Sequence, residues 1–423
     1  MESDVVAASV HVATLSKIFK PSAPTDDRQL FRGRAQQLSS LVSAMQEEGQ
    51  HAIVFGERGV GKTSLAYMGM AIFGIQAPDG IRLRLTCGAE DDFSTVWQKL
   101  VPRLQQFLDT TDDEVRASLA GTIDRIEDMF MDAPTPESVG RALHLLASRA
   151  PLLVVVDEFD RINGYAHGDA FADLVKQISD DLVECTVCLV GVADDVSGLI
   201  AGHASVDRSL RQIAMPRMTQ DELSEIVTRG FQAFGERSGY TLDIDASAVS
   251  AIANLSQGFP YYTHLLASSV GKRSIYANEH VITFEQVFDA LMQAKDDAEP
   301  SIKENYYKAT IAARSDATFD KTILACAMAV PDHLGHFTAS DVRPPLEELL
   351  GVPRRNSDFN AHLKRFSSEP PYILESTSVT RTPRYRFRNP LMKPFVLMQG
   401  FASGLLSQDR LSLRDSNEPT NQG

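Results

Sequence analysis

The chain has 423 residues, 43% hydrophobic and 23% charged, a length for roughly two or three domains and an ordinary globular balance. That excludes a mostly disordered or collagen-like chain, and no apolar run reaches the roughly 18 residues of a membrane helix. The formal net charge of −15 excludes a nucleic-acid binder that is basic throughout. The sign is uneven, however: residues 1–300 carry −18, residues 301–423 carry +3, and residues 351–400 alone carry +6. An acidic body with a basic C-terminal module is a statement about partners. The N-terminal MESDVVAASV lacks a basic stretch followed by an apolar one, and four cysteines are too few for a disulfide framework. A cytoplasmic protein away from membranes is expected.

Residues 1–29 read as an N-terminal arm ending in the polar KPSAPTDD. Leu38, Leu41, Val42 and Met45 have helical spacing. Short apolar runs then alternate with helical stretches: HAIVFG (51–56), IRLRLTC (81–87), PLLVVVD (151–157), ECTVCLVGVA (184–193) and RQIAM (211–215). Such alternation predicts an α/β domain over 30–216 with a parallel five-stranded sheet covered on both faces. Thr135-Pro136-Glu137 sets proline at the first position of a helix.

After Pro216 the strands stop. Thr219-Gln220-Asp221-Glu222 and Thr283-Phe284-Glu285-Gln286 are capping boxes, Asp245 is a third helix start, and Gly258-Phe259-Pro260 breaks before another helix. Residues 217–298 therefore read as an all-helical domain, with a linker near 299–303. The winged-helix candidate spans 301–402, and over 318–402 the order is helix, helix, helix, hairpin, helix. The third helix begins near Asn356 and buries Phe359, Leu363 and Phe366, and YILEST (372–377) with RYRFR (384–388) forms the hairpin. That order predicts a winged helix-turn-helix. The polar stretch 403–423 reads as a disordered tail.

Gly56-Glu57-Arg58-Gly59-Val60-Gly61-Lys62-Thr63, followed by Ser64, matches G-x-x-x-x-G-K-[ST] with a strand before it and a helix after it. The glycines let backbone N–H groups turn toward phosphate oxygens, and the helix N-terminus adds positive partial charge. Lys62 is a point charge for the β- and γ-phosphates, and Thr63 is a ligand for Mg²⁺. The strand ending in Asp157-Glu158 brings two carboxylates to the sheet's C-terminal edge, where open α/β sheets bind ligands. Asp157 is expected to hold Mg²⁺ through water and Glu158 to polarise the attacking water. The plain alternative is an acidic cap on a core strand.

The loop GERGVGKTS, the strand LLVVVDEFDR and the upstream Leu30-Phe31-Arg32-Gly33-Arg34 together resemble AAA+/STAND-type P-loop ATPases related to origin-initiator ATPases. The resemblance implies a P-loop NTPase core, a helical lid (217–298) and ATP or ADP with Mg²⁺ between them. It implies that Phe31, Gly33 and Arg34 lie beside the adenine and that Pro260, in a Gly-x-Pro motif, approaches the nucleotide. It also implies a polar sensor after the fourth strand, Asp194 or Asp195, and an arginine before the fifth, Arg208, reaching into a neighbouring subunit's site. Where STAND proteins usually carry Gly-Arg-Glu-x-Glu, this chain has Gly33-Arg34-Ala35-Gln36-Gln37.

Cys185 and Cys188 have C-x-x-C spacing, but three apart on a strand they face opposite sides and read as buried hydrophobes. His144 and His264 read as packed or surface residues, and Trp97 fits an apolar helix stripe. In the basic module, Arg354 and Arg355 precede the third helix, and Asn360, Lys364 and Arg365 lie along it. Arg384, Arg386 and Arg388 alternate onto one side of the hairpin, with Arg381 in its loop. These nine are the candidate contacts to double-stranded DNA; the alternative is an internal strut.

Two outputs are open. One is an ATP-hydrolysing switch that acts on DNA through the winged helix. The other is a STAND-like signalling or defence switch that forms a homo-oligomer or recruits a protein partner.

Overall fold

The computed structural model describes residues 2–24, 30–31, 33–111, 113–162, 165–194, 196, 199, 208–311, 318–332, 335–377 and 383–412. They form two compact units: Pro24–Pro216, and the remainder from both sides of it. The chain therefore passes between the units twice.

The chain starts with α1 (Glu2–Ile18), which belongs to the second unit. The first unit then runs α2 (Ala35–Gln46), β1 (His51–Gly56), α3 (Lys62–Gln76), β2 (Ile81–Thr86), α4 (Phe93–Gln98), α5 (Leu100–Leu108), α6 (Asp113–Met129), α7 (Pro136–Ala147), β3 (Leu152–Asp157), α8 (Tyr165–Asp180), β4 (Cys185–Val192) and β5 (Leu210–Ala214). The five strands form one parallel sheet in the order β2-β3-β4-β1-β5. The unbroken apolar run of β3 is buried along its whole length, as a strand covered on both faces must be. On one face Trp97, Phe93, Phe159 and Phe171 form an aromatic cluster, with Phe171 4.9 Å from Phe93 and 4.8 Å from Phe159. β2 is an edge strand and alternates instead, presenting Arg82 and Arg84 opposite Leu83 and Leu85.

From β1 the chain crosses to the far edge, while from β4 it crosses the other way to β5. These opposed crossings make a topological switch point at the C-terminal ends of β1 and β4, the position where open α/β sheets hold ligands. The predicted strands are all present, and Pro136 opens α7 under a Thr135 cap. Cys185 and Cys188 are buried free thiols; burial pushes the Cys188 thiol up to about 12.

The second unit contains α9 (Gln220–Ser238), β6 (Asp243–Ile244), α10 (Ala246–Ser256), α11 (Pro260–Tyr276), β7 (Val281–Ile282) and α12 (Phe284–Asp296). Both predicted capping boxes form, with Thr219 N–H donating to Glu222 at 2.7 Å and Thr283 N–H to Gln286 at 2.7 Å. Asp245 stands at the N-cap of α10 without a side-chain capping bond. The region expected to be an arm is α1, whose Leu15 and Ile18, with Phe19 beyond, are buried. The Phe19 ring lies so close to α9 that a Cβ on Gly230 would come within 2.3 Å of it. A glycine in mid-helix marks this docking, and periodicity alone could not pair it with a distant phenylalanine.

The unit continues through α13 (Pro300–Thr310), α14 (Phe319–Met328), β8 (Phe337–Thr338), α15 (Ala339–Leu350), α16 (Asn360–Ser368), β9 (Leu374–Thr377), β10 (Arg384–Phe387) and α17 (Met392–Ala402). Where a linker was expected, Pro300 occupies the first position of α13, where its missing N–H costs nothing. The hairpin forms as an antiparallel pair, with Tyr385 opposite Ser376. β8 adds to its other side, in the order β8-β10-β9. Leu406, assigned to the tail by sequence, is buried; residues 413–423 lie outside the described residues.

His51, at the start of β1, accepts the Val187 N–H on Nδ1 at 3.0 Å. Burial lowers its pKa to about 4. An unfolded histidine takes up a proton near pH 6.5, whereas this one refuses it until about 4, so stability is complete above 6.5 and falls as pH drops through that window. Urea unfolding should lose up to about 3 kcal/mol from this group between pH 7 and 4. His51→Asn, which keeps an acceptor for Val187, should flatten that limb; an equally steep limb in the variant would contradict the assignment.

Candidate nucleotide site

β1 ends at Gly56, whose φ of 146° accompanies a close approach to the chain leaving β5. A Cβ there would stand 2.4 Å from the Met215 carbonyl oxygen. The loop turns through Gly59 and Gly61, with φ of 86° and 96°, and α3 starts at Lys62 without a side-chain cap. Around Gly61 the space within 4 Å of a Cβ position is open. An uncapped helix N-terminus beside open space leaves backbone N–H groups available to an anion.

Lys62 folds back over this loop. Its Nζ donates to the carbonyls of Gly56 at 3.0 Å and Glu57 at 2.7 Å. Burial lowers its pKa to about 8; Asp160, Asp157 and Glu57 pull it upward, and Arg58 pulls it down. Val60 is buried, Arg58 is exposed, and Ser64 follows Thr63 in the first turn of α3. Arg34 is buried beneath the loop and donates to the Val60 carbonyl at 3.3 Å and to the Pro216 carbonyl at 2.6 Å. Gly33 has a φ of 73° and Phe31 is half-buried. Arg34 thus fixes the phosphate loop to the last residue of the unit.

Asp157 is 1% exposed at the end of β3. Its Oδ1 accepts the Glu158 N–H at 2.9 Å and lies 3.4 Å from Thr63 Oγ1. Its Oδ2 accepts from Arg84 Nε at 3.1 Å and Nη2 at 2.7 Å. Glu158 has a φ of 56°; a left-handed non-glycine costs on the order of 1–3 kcal/mol and persists where surroundings enforce it. The Glu158 side chain pairs with Arg161 at 2.7 Å. Asp160 Oδ1 accepts the Val192 N–H at 2.7 Å, tying the turn after β3 to the end of β4. Asp194 is exposed just beyond β4, and Asp195 lies outside the described residues.

The structure therefore brings Gly56, Lys62, Thr63, Asp157 and Glu158 to one sheet edge, with Arg34 behind the loop. Arg208 is not there. β5 begins beside the start of β1, with Leu210 opposite His51, and the Arg208 carbonyl accepts from Gln50 at 2.7 Å. That level is about five residues, roughly 16 Å, from Gly56 along the strand. Arg208 is exposed, whereas Arg211 pairs with Glu47 at 2.8 Å. Arg84, Tyr67, Asp160 and Arg161 were not legible as site residues. Arg84 becomes meaningful only once β2 is known to pair with β3, as Thr86 opposite Asp157 shows.

In the second unit Pro260 opens α11. Arg217 lies over the Phe259 ring at 4.8 Å, and Met218 N–H donates to the Gly258 carbonyl at 3.0 Å. Tyr262 donates to the Leu391 carbonyl at 2.8 Å, and the Tyr261 hydroxyl accepts the Glu299 N–H at 3.0 Å.

The predicted cationic face is largely engaged within its own module. Arg384 pairs with Asp332 at 2.7 Å, Arg386 pairs with Glu375, and Arg388 lies over the Tyr372 ring at 5.3 Å. Arg365 lies over Phe319 at 4.1 Å and donates to the Ile311 carbonyl at 3.2 Å. Arg354 is half-buried, while Arg355, Asn360 and Lys364 are exposed. Arg381 lies outside the described residues. No described helix is long and apolar enough to cross a membrane. Among the described residues no three His, Cys, Asp or Glu side chains cluster as a metal cage.

Residues 23–285 match the family described as Novel STAND NTPase 1. No curated protein matches the chain. Among solved structures, it is similar to the Orc1 protein of Aeropyrum pernix in complex with DNA, at 14% identity and a TM-score of 0.47, over 92% of this chain and 97% of that one. A Walker-type ATPase of Pyrococcus abyssi matches at 14% identity and a TM-score of 0.49, over 90% and 99%. Cdc6p of Pyrobaculum aerophilum matches at 14% and 0.44, over 93% and 99%.

The two loop glycines separate backbone conformation from close approach. Gly61→Ala should cost about 1–2 kcal/mol, the left-handed penalty alone. Gly56→Ala adds a clash with a backbone carbonyl and should cost clearly more in urea unfolding. Equal costs would show that the approach to Met215 is not limiting.

Proposed function

The chain belongs to the novel STAND NTPase 1 family, and from that premise we propose that it binds ATP or ADP with Mg²⁺ and hydrolyses ATP as a molecular switch. The observation that carries the reading is the uncapped start of α3 with Lys62, Thr63 and Asp157 converging on it. Thr63 Oγ1 and Asp157 Oδ1, 3.4 Å apart, would hold Mg²⁺, Asp157 through water, as suits a small hard cation that keeps most of its hydration. Bound Mg²⁺ would offset phosphate charge and leave the chain to position the nucleotide. Lys62 exchanges its two carbonyl partners for phosphate oxygens. Glu158 polarises water only after its carboxylate leaves Arg161.

The nucleotide's state reaches the second unit along the chain itself. Arg34 holds both the phosphate loop and Pro216, and the next residue, Arg217, stacks on Phe259 beside Pro260. Residues 301–402 are read as a winged helix, with α16 as its third helix and β9–β10 as its wing. The ion pairs of Arg384 and Arg386 and the Tyr262 bond to Leu391 support a module braced within its own unit, whose output goes to a protein partner. Arg208 at the opposite sheet edge supports action on a second copy of the chain. A DNA output is the second reading, supported by the exposed Arg355, Asn360 and Lys364.

Lys62→Ala should abolish Mg²⁺-dependent binding of a fluorescent adenine nucleotide; undiminished affinity would end the reading. Glu158→Gln should keep that affinity and lose phosphate release by a factor of about 10² or more, and unchanged turnover would remove Glu158 from the mechanism. For the output, Arg355→Glu with Lys364→Glu spares the internal ion pairs. DNA binding to wild type that weakens with salt and is lost in this variant would favour the DNA reading; salt-insensitive or absent binding would favour the protein partner.

A further inference from the structure

Asp157 is the buried acid at the site, and it already has a cation. Arg84 reaches its Oδ2 with two nitrogens, at 3.1 Å and 2.7 Å. The same guanidinium donates to the Tyr67 hydroxyl at 3.0 Å and lies 5.0 Å above the Tyr67 ring. Tyr67 stands on α3, one turn after Thr63, so Arg84 is clamped between the phosphate-loop helix and β3. The Arg84 side chain is 28% exposed against 2% for Asp157. A carboxylate buried to that degree requires a charged partner.

We propose that Arg84 is a resident counter-ion for Asp157, standing in for Mg²⁺ in the metal-free protein and opposing it when the metal binds. The inference rests on the reading that Thr63 and Asp157 hold Mg²⁺, and goes beyond it by assigning an antagonist to the metal. Geometry divides the carboxylate: Oδ2 belongs to Arg84, and Oδ1 faces Thr63. Two consequences follow from one charge. Without metal, Arg84 keeps the buried acid compensated and the sheet edge intact. With metal, a fixed positive charge remains on the far oxygen of the same carboxylate and repels the incoming cation through a partly hydrated medium. An orienting role alone would have the opposite sign, since loss of Arg84 would then weaken the metal.

The test measures the Mg²⁺ concentration for half-maximal binding of mant-ADP to the full chain, in wild type, Arg84→Lys and Arg84→Gln, at one pH. Arg84→Gln should lower that concentration about tenfold, the effect of one partly screened unit charge. Arg84→Lys, whose ammonium reaches one oxygen and loses the Tyr67 clamp, should lower it less. Thermal unfolding of Arg84→Gln should rise more on adding Mg²⁺ with ADP than that of wild type. An unchanged or raised Mg²⁺ requirement in Arg84→Gln overturns the counter-ion role while leaving the metal site standing. If Arg84→Gln does not fold, Arg84→Lys decides by the same sign. A wild type whose nucleotide affinity ignores Mg²⁺ overturns both the proposal and the metal site beneath it.

Discussion

A carboxylate that is almost wholly removed from water stands at the end of the central apolar strand, and the surrounding structure is arranged around giving its oxygens partners. Asp157 receives a backbone N–H from Glu158 and a guanidinium from Arg84. Its carbonyl also accepts the Cys87 N–H at 2.9 Å, joining β3 to the chain leaving β2. Strand pairing, an ion pair and a left-handed residue thus meet within two positions. Taking a lone carboxylate out of water would cost several kcal/mol. The left-handed Glu158 is the smaller cost, and the bond it allows to Oδ1 helps offset it. The site's chemistry and the strand's stability are consequently one problem.

The phosphate loop depends on a similar arrangement of backbone carbonyls. Lys62 satisfies those of Gly56 and Glu57, and Arg34 satisfies that of Val60. Two long cations therefore hold the loop by its carbonyls. Arg34 has a second hold on Pro216, so one side chain links the loop at Val60 to the exit from the unit. That route needs no through-space contact, because Arg217 is the next residue and is itself engaged with Phe259.

Much of this architecture could be read from residue order. The apolar runs, the glycine loop, the Asp157-Glu158 strand end and the capping boxes are local patterns, and each formed where local physics required. The parts that could not be read are those that depend on which distant elements meet. α1 looked like an arm because its buried positions have meaning only against distant residues such as Gly230 and Gly271. Pro300 looked like a break because a proline that starts a helix and one that ends it are the same letter. The arginines of β10 were placed correctly on one side, with Tyr385 and Phe387 buried on the other. Alternation gives the side of a strand and says nothing of what waits there, and Asp332 and Glu375 were waiting.

The last of those pairings bears on how the second unit works. A cationic face free of acids would be held only by its solvent, and its natural outlet would be a polyanion. Here two of its arginines are spent within the module, and the module is tied to the start of α11 at two points, Leu391 through Tyr262 and Glu299 through the Tyr261 hydroxyl. A buried hydrogen bond of this kind contributes only about 1 kcal/mol net, yet leaving its partner unsatisfied costs more. Both tyrosines directly follow Pro260, so the residue expected to report on nucleotide is two peptide bonds or fewer from both anchors. Pro260 is thus linked through its two neighbours to residues 299 and 391. On the proposed reading, the nucleotide would act on the module's placement more than on its charge.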